Sequence, residues 1–154
     1  MDEEFASHWK SYIFQSLLAT FAIFVALLVF TVQHPVIIAS IGATAFIVFA
    51  MPESITANPR GVIGGHLVGL LCGSLCALIP RFSFGHPAIA YSIAVGLSIL
   101  IMVIVDTEHP PASGTALGIA IEGPSISLMI AVLTSVIILS LSHRFLKPFL
   151  RDLT

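Results

Sequence analysis

From Tyr12 to Val32 the chain runs without a charged side chain. Roughly 20 apolar residues in a helix cross the hydrocarbon of a bilayer, so this stretch predicts a membrane span. The rest of the sequence agrees. It is 57% hydrophobic and 9% charged, with a mean hydropathy of +1.06. A soluble domain carries about 25% charged residues, and so few charges cannot cover a water-facing surface. The net charge is −2 and neither half is strongly basic, which argues against a nucleic-acid partner. The start, Met1-Asp2-Glu3-Glu4-Phe5, is acidic and lacks the basic opening of a signal or transit peptide, so the first apolar segment is expected to be kept.

Residues 1–11 read as a polar lead, with Phe5, Trp9 and Tyr12 at headgroup depth. After segment one, His34 is placed to cap a new helix and Pro35 fits its first position. Segment two, about Val36 to Met51, is short and carries Ala39-Ser40-Ile41-Gly42-Ala43-Thr44-Ala45. Asn58 and Pro59 open segment three, about Gly61 to Ile79. Glycines at 61, 65, 69 and 73 form a smooth stripe on it, which lets another helix approach closely in lipid, within the protomer or between protomers. His66 lies off that stripe, as a bonded packing residue or, the favoured reading, facing a polar cavity. Cys72 and Cys76 lie four apart on one face, a poor geometry for a disulfide, and read as small packing residues. A turn at 80–87, with Arg81 and His86, leads into segment four, about Ala88 to Val105. Segment five, about Pro111 to Ile121, reaches roughly 16 Å of a ~30 Å core. Glu122-Gly123-Pro124 ends it, and segment six runs from about Ser125 to Ser142. His143, Arg144, Lys147 and Arg151 then give a basic stretch, with 144–154 expected as a cytoplasmic tail.

The densest chemistry lies between segments four and five, at Asp106-Thr107-Glu108-His109-Pro110-Pro111-Ala112-Ser113-Gly114-Thr115. Polar groups at a broken membrane helix are costly and usually mark a site. The alternative is a solvated loop capped by His109 and the prolines.

An internal repeat is expected, with halves 12–79 and 88–143 in one domain over 12–143. His34-Pro35 matches His109-Pro110, Ala39-Ser40 matches Ala112-Ser113, and Gly42-Ala43-Thr44-Ala45 resembles Gly114-Thr115-Ala116. Each half reads long, short, long. The fold class is therefore an all-α membrane bundle of six helical segments, the second and fifth short, with four long spans. Charge leaves two topologies open. Re-entrant short segments leave only Arg60 opposite the cytoplasm. Six crossings, the favoured reading, leave only Arg81 there.

The runs Ala39–Ala45, Pro52-Glu53-Ser54, Asn58–His66 and His109–Leu117 together resemble the HPP family of integral membrane proteins. The resemblance spans roughly residues 12 to 143, with three separate motifs in the family's order. It implies a transmembrane transporter, because plant chloroplast and cyanobacterial members are implicated in nitrite transport, and a plasma membrane of the bacterial inner type. The family commonly reads Pro-Pro-Ala-Gly-Ala after the histidine. Here it is Pro-Pro-Ala-Ser-Gly, which adds a hydroxyl at Ser113.

A small anion fits the residues in part. Two helix N-termini, behind His34 and His109, would offer free N–H groups and partial positive charge if they faced one another. Ser40, Thr44, Ser113 and Thr115 could donate hydroxyl hydrogens, or serve only packing. Gly42 and Gly114 would let backbone approach, with Pro110 and Pro111 fixing the helix start. His109 could carry a proton with the anion. Asp106, Glu108, Glu53 and Glu122 repel anions when ionised, and Glu53 is expected to pair with Arg60. With His66, the carboxylates at 106, 108 and 122 keep a proton-coupled or cation carrier open, beside a non-transporting scaffold. No nucleophile set, phosphate loop or metal cluster points to an enzyme, a metal or a cofactor. The expected partners are a small inorganic ion, the lipid bilayer and a second copy in a homodimer.

Overall fold

The computed structural model describes residues 3–29, 34–79 and 87–154, and they form six α-helices. The turn at 80–86, with Arg81 and His86, lies outside the described residues. Helix α1 spans Glu3–Val29 and breaks at His8, whose φ of −129° is not helical, so the lead is a separate helical turn before the span. Helix α2 spans Pro35–Ala50, α3 Pro59–Ala77, α4 Ala88–Ile104, α5 Pro111–Glu122 and α6 Ile126–Leu146.

Local chemistry sets these boundaries. Pro35, Pro59 and Pro111 occupy first-turn positions where no N–H is needed. The Asn58 side chain accepts from Arg60 N–H at 3.1 Å, and Ser125 accepts from Leu128 N–H at 3.2 Å. His34 caps α2 through its backbone carbonyl only, and its side chain turns away. Gly123 ends α5 at φ 87°, a conformation that side chains disfavour. Three helical stretches, His8–Leu28, Pro59–Ala77 and Ile126–Phe149, are long and apolar enough to cross a bilayer. Helices α2 and α4 are shorter, at 16 and 17 residues, so α4 is nearer the short class than the long span the sequence suggests. Ile13, Phe14, Leu17, Phe21, Phe24 and Leu28 lie exposed along α1, as suits a face in contact with lipid.

Each helix reverses the direction of the one before. The α1 start meets the chain end, where Tyr12 Oη donates to Leu153 O at 3.1 Å. Leu153 N–H in turn bonds Ala50 O at the end of α2. Arg60, at the start of α3, donates to Val105 O at the end of α4 and pairs with Asp106 at 3.1 Å. His143, in the last turn of α6, donates from Nε2 to Pro52 O. At the opposite end, His34 pairs with Glu122 at 3.1 Å, joining the start of α2 to the end of α5. Arg60 thus shares an end with Arg144, Lys147 and the chain terminus, which removes the re-entrant alternative. Arg60 pairs with Asp106 and not with Glu53, as the sequence suggested.

The two halves pack as an inverted pair. Helix α1 lies on α2 as α4 lies on α5. Helix α3 runs along α5 as α6 runs along α2, and α3 meets α4 as α6 meets α1. The pairs α2–α5 and α3–α6 close the centre.

The last residues are tied down through Gln15, which is 1% exposed. Its amide donates to Phe49 O and Arg151 O, and its Oε1 accepts from Arg151 N–H at 3.2 Å. Gln15→Leu would orphan these backbone groups, each worth about 1–3 kcal/mol when buried. Limited proteolysis in detergent is expected to trim the C-terminus of that variant several-fold faster than wild type.

Candidate functional site: a buried histidine–hydroxyl chain

The segment between α4 and α5 dips into the bundle before α5 starts. Asp106, at φ 57°, makes the reversal, and Arg60 holds its carboxylate. The dip carries His109 inward against α3, and this is why α5 is only 12 residues long. Space for it comes from glycine. A Cβ on Gly65 would meet His109 Cβ at 2.9 Å, and one on Gly61 would meet Glu108 O at 3.1 Å. Farther along, a Cβ on Gly69 would stand 2.4 Å from Ala112 O, and one on Gly73 2.5 Å from Ala116 O. The stripe is therefore occupied inside the protomer, by α5 and its lead, and gives no basis for a contact between protomers.

Five side chains from α2, α3, α5 and the dip form one continuous polar chain. His109 Nδ1 lies 2.8 Å from Thr56 O, and a carbonyl only accepts, so Nδ1 carries hydrogen. His109 Nε2 lies 3.0 Å from Thr44 Oγ1, which lies 3.0 Å from His66 Nε2. His66 Nδ1 is 2.8 Å from Thr115 Oγ1, which is 2.9 Å from Ser40 Oγ. Ser40 Oγ also donates to Pro111 O at 2.6 Å. The two imidazole rings stand 5.2 Å apart. His66, His109, Thr44 and Thr115 are fully buried and Ser40 nearly so. Buried polar groups must be bonded to persist, and here each is.

Other expected site residues lie elsewhere. Helices α2 and α5 run in opposite senses, with Ile37 against Gly118 and Ser40 against Gly114. The two helix N-termini therefore do not face one another: that of α2 meets the C-terminal end of α5. His34 sits there with Glu122, far from its sequence counterpart His109. Gly42 is exposed with nothing near it, so it gives no close approach. Gly114 does, since a Cβ there would meet Ser40 Cβ at 3.3 Å. Ser113, Pro110 and Glu108 line a crevice of about 410 Å³ beside His109, with Ile99, Met102 and Val103. Asp106 is exposed at the Arg60 end. None of these carboxylates bonds either imidazole.

A second, open cleft of about 650 Å³ lies at the same end, lined by Arg60, Arg144, Lys147, His143, Asn58 and Glu53 among others. Its floor includes Ile55, beside the Thr56 whose carbonyl holds His109. Thr56 contributes only its backbone, which no residue pattern marks in advance. Among the described residues, no three His, Cys, Asp or Glu side chains come together to hold a metal. Cys72 and Cys76 are buried and unbridged.

Comparison with known proteins places this arrangement in context. A family model described as HPP, transmembrane region, matches residues 5–147. One transmembrane protein of Dictyostelium discoideum is 36% identical over 85 residues, covering 55% of this chain and 30% of that protein. Another from the same organism is 32% identical over 81 residues, covering 53% of this chain and 26% of its own length. The matched part is thus under a third of each relative. No solved structure matches the chain.

Proposed function

Because this chain belongs to the HPP transmembrane-region family, we propose that its membrane bundle moves a small inorganic anion of the nitrite class past the buried histidine–hydroxyl chain. That chain is the observation that carries the reading. Polar side chains in a membrane bundle are costly, and they persist where an ion or proton path needs them. Its groups are hydroxyls and imidazoles, which offer hydrogens to an anion without a fixed charge. A cation path would want carboxylates there. Asp106 and Glu122 are instead paired at opposite ends of the bundle, with Arg60 and His34.

The cleft lined by Arg60, Arg144 and Lys147 supports the same sign of charge. Positive groups at a mouth raise the local anion concentration and steer encounter, an effect that salt screens. Lys10, Arg60, Arg144, Lys147 and Arg151 belong to that end, and by the positive-inside rule it faces the cytoplasm.

The test is nitrite uptake into proteoliposomes holding the wild-type protein. Uptake above empty liposomes is expected, reduced by other small monovalent anions and indifferent to sodium or potassium. Uptake equal to empty liposomes, with the protein folded and inserted, or flux of cations in place of anions, would reject the reading.

A further inference from the structure

The hydrogen count of the buried chain is one short. Six links run in series from Thr56 O through His109, Thr44, His66, Thr115 and Ser40 to Pro111 O. Both ends are backbone carbonyls, which only accept. Five neutral side chains stand between them, and each brings one polar hydrogen. One link must then lack a hydrogen. With His109 Nδ1–H fixed on Thr56 O, Thr44 donates to His109 Nε2, His66 to Thr44, Thr115 to His66, and Ser40 to Thr115. The vacancy falls on Pro111 O.

One added proton fills all six links in either of two ways. With His109 doubly protonated, Thr44 turns its hydrogen to His66, His66 donates to Thr115, Thr115 to Ser40, and Ser40 to Pro111 O. With His66 doubly protonated, Thr44 turns back to His109 and the rest is unchanged. The two forms differ by the Thr44 hydroxyl and one proton passed across it. We propose that this chain is a one-proton binding site shared by His66 and His109 through Thr44, and that the proton crosses together with the anion.

The coupling follows from what surrounds the site. Helix α2 presents Ser40 and Thr44, α5 presents Thr115, and the turn before α3 presents the Thr56 carbonyl. From α4, Met102 reaches the same region at Gly65. From α6, His143 is turned to Pro52 O. The nearest carboxylates in sequence are Glu108, on the crevice, and Asp106, paired with Arg60. No anion of the protein bonds the shared proton, and an isolated buried charge is costly. A monovalent anion in the crevice beside His109 supplies the missing counter-charge. One proton and one anion then enter as a neutral pair. No bond to the anion forms or breaks, and no net charge crosses.

This inference rests on the anion reading above, and the test separates the two. Proteoliposomes carry an internal pH dye and a potassium gradient with valinomycin. Nitrite uptake by wild type is expected to acidify the interior by one proton per nitrite and to be unmoved by the imposed potential. Thr44→Val, which keeps the shape and removes the hydroxyl, is expected to lose at least ten-fold in coupled flux, with Thr44→Ser close to wild type. Nitrite uptake driven by the potential at constant internal pH overturns the coupling and leaves anion transport standing. No nitrite flux in wild type overturns transport. Histidine ¹⁵N titration of the same samples then decides the proton site, which stands if Thr44→Val alters the pH response of both His66 and His109 and falls if it alters neither.

Discussion

Gly69→Ala is expected to lower the unfolding midpoint in detergent more than any other single methyl added to this chain. The new Cβ would sit 2.4 Å from the carbonyl oxygen of Ala112, which is helix backbone and cannot rotate aside. Helices α3 and α5 would have to separate, and overpacking of this kind costs about 1–3 kcal/mol. Gly42→Ala provides the contrast. Its Cβ meets nothing within 4 Å, and alanine is the better helix former by about 1 kcal/mol, so that variant is expected to hold or gain stability. Equal effects at the two sites would mean that the stripe does not seat α5.

The second large effect concerns two histidines that look alike in sequence. His34 and His109 each precede proline at the head of a short helix. His109→Ala is expected to bring nitrite uptake to the level of empty liposomes. It removes the link between Thr56 O and Thr44 and leaves both buried and unpartnered. His34→Ala is expected to stay within about two-fold of wild type, since its partly exposed pair with Glu122 is worth at most ~1 kcal/mol. Equal loss in both variants would place the path along the repeat axis and not through the His66–His109 chain.

Much of this was legible in the sequence. Uncharged runs located the helices, because charge inside a span is costly. The prolines and Asn58 marked helix starts within a residue or two. The motif around His109, Ser40, Thr44 and Thr115 named most of the site, since these residue types are out of place in an apolar run. What could not be read was direction and depth. Six short segments with matching motifs allow parallel or inverted halves, and only contacts such as His34–Glu122 and Arg60–Asp106 decide. For the same reason Gly42 and His34 looked like site residues: the repeat equates them with Gly114 and His109, while the inverted packing sends them elsewhere. The Thr56 carbonyl left no trace, because backbone acceptors are the same in every residue. Gln15 was passed over as one polar residue in a long apolar segment, yet it ties the chain end to α1 and α2.

The most direct test of the account is the histidine ¹⁵N spectrum of the wild-type protein in lipid, recorded with and without nitrite. The account predicts that nitrite shifts the His66 and His109 signals together and leaves His34 and His143 in place. Unchanged His66 and His109 signals at nitrite concentrations that sustain flux would contradict it.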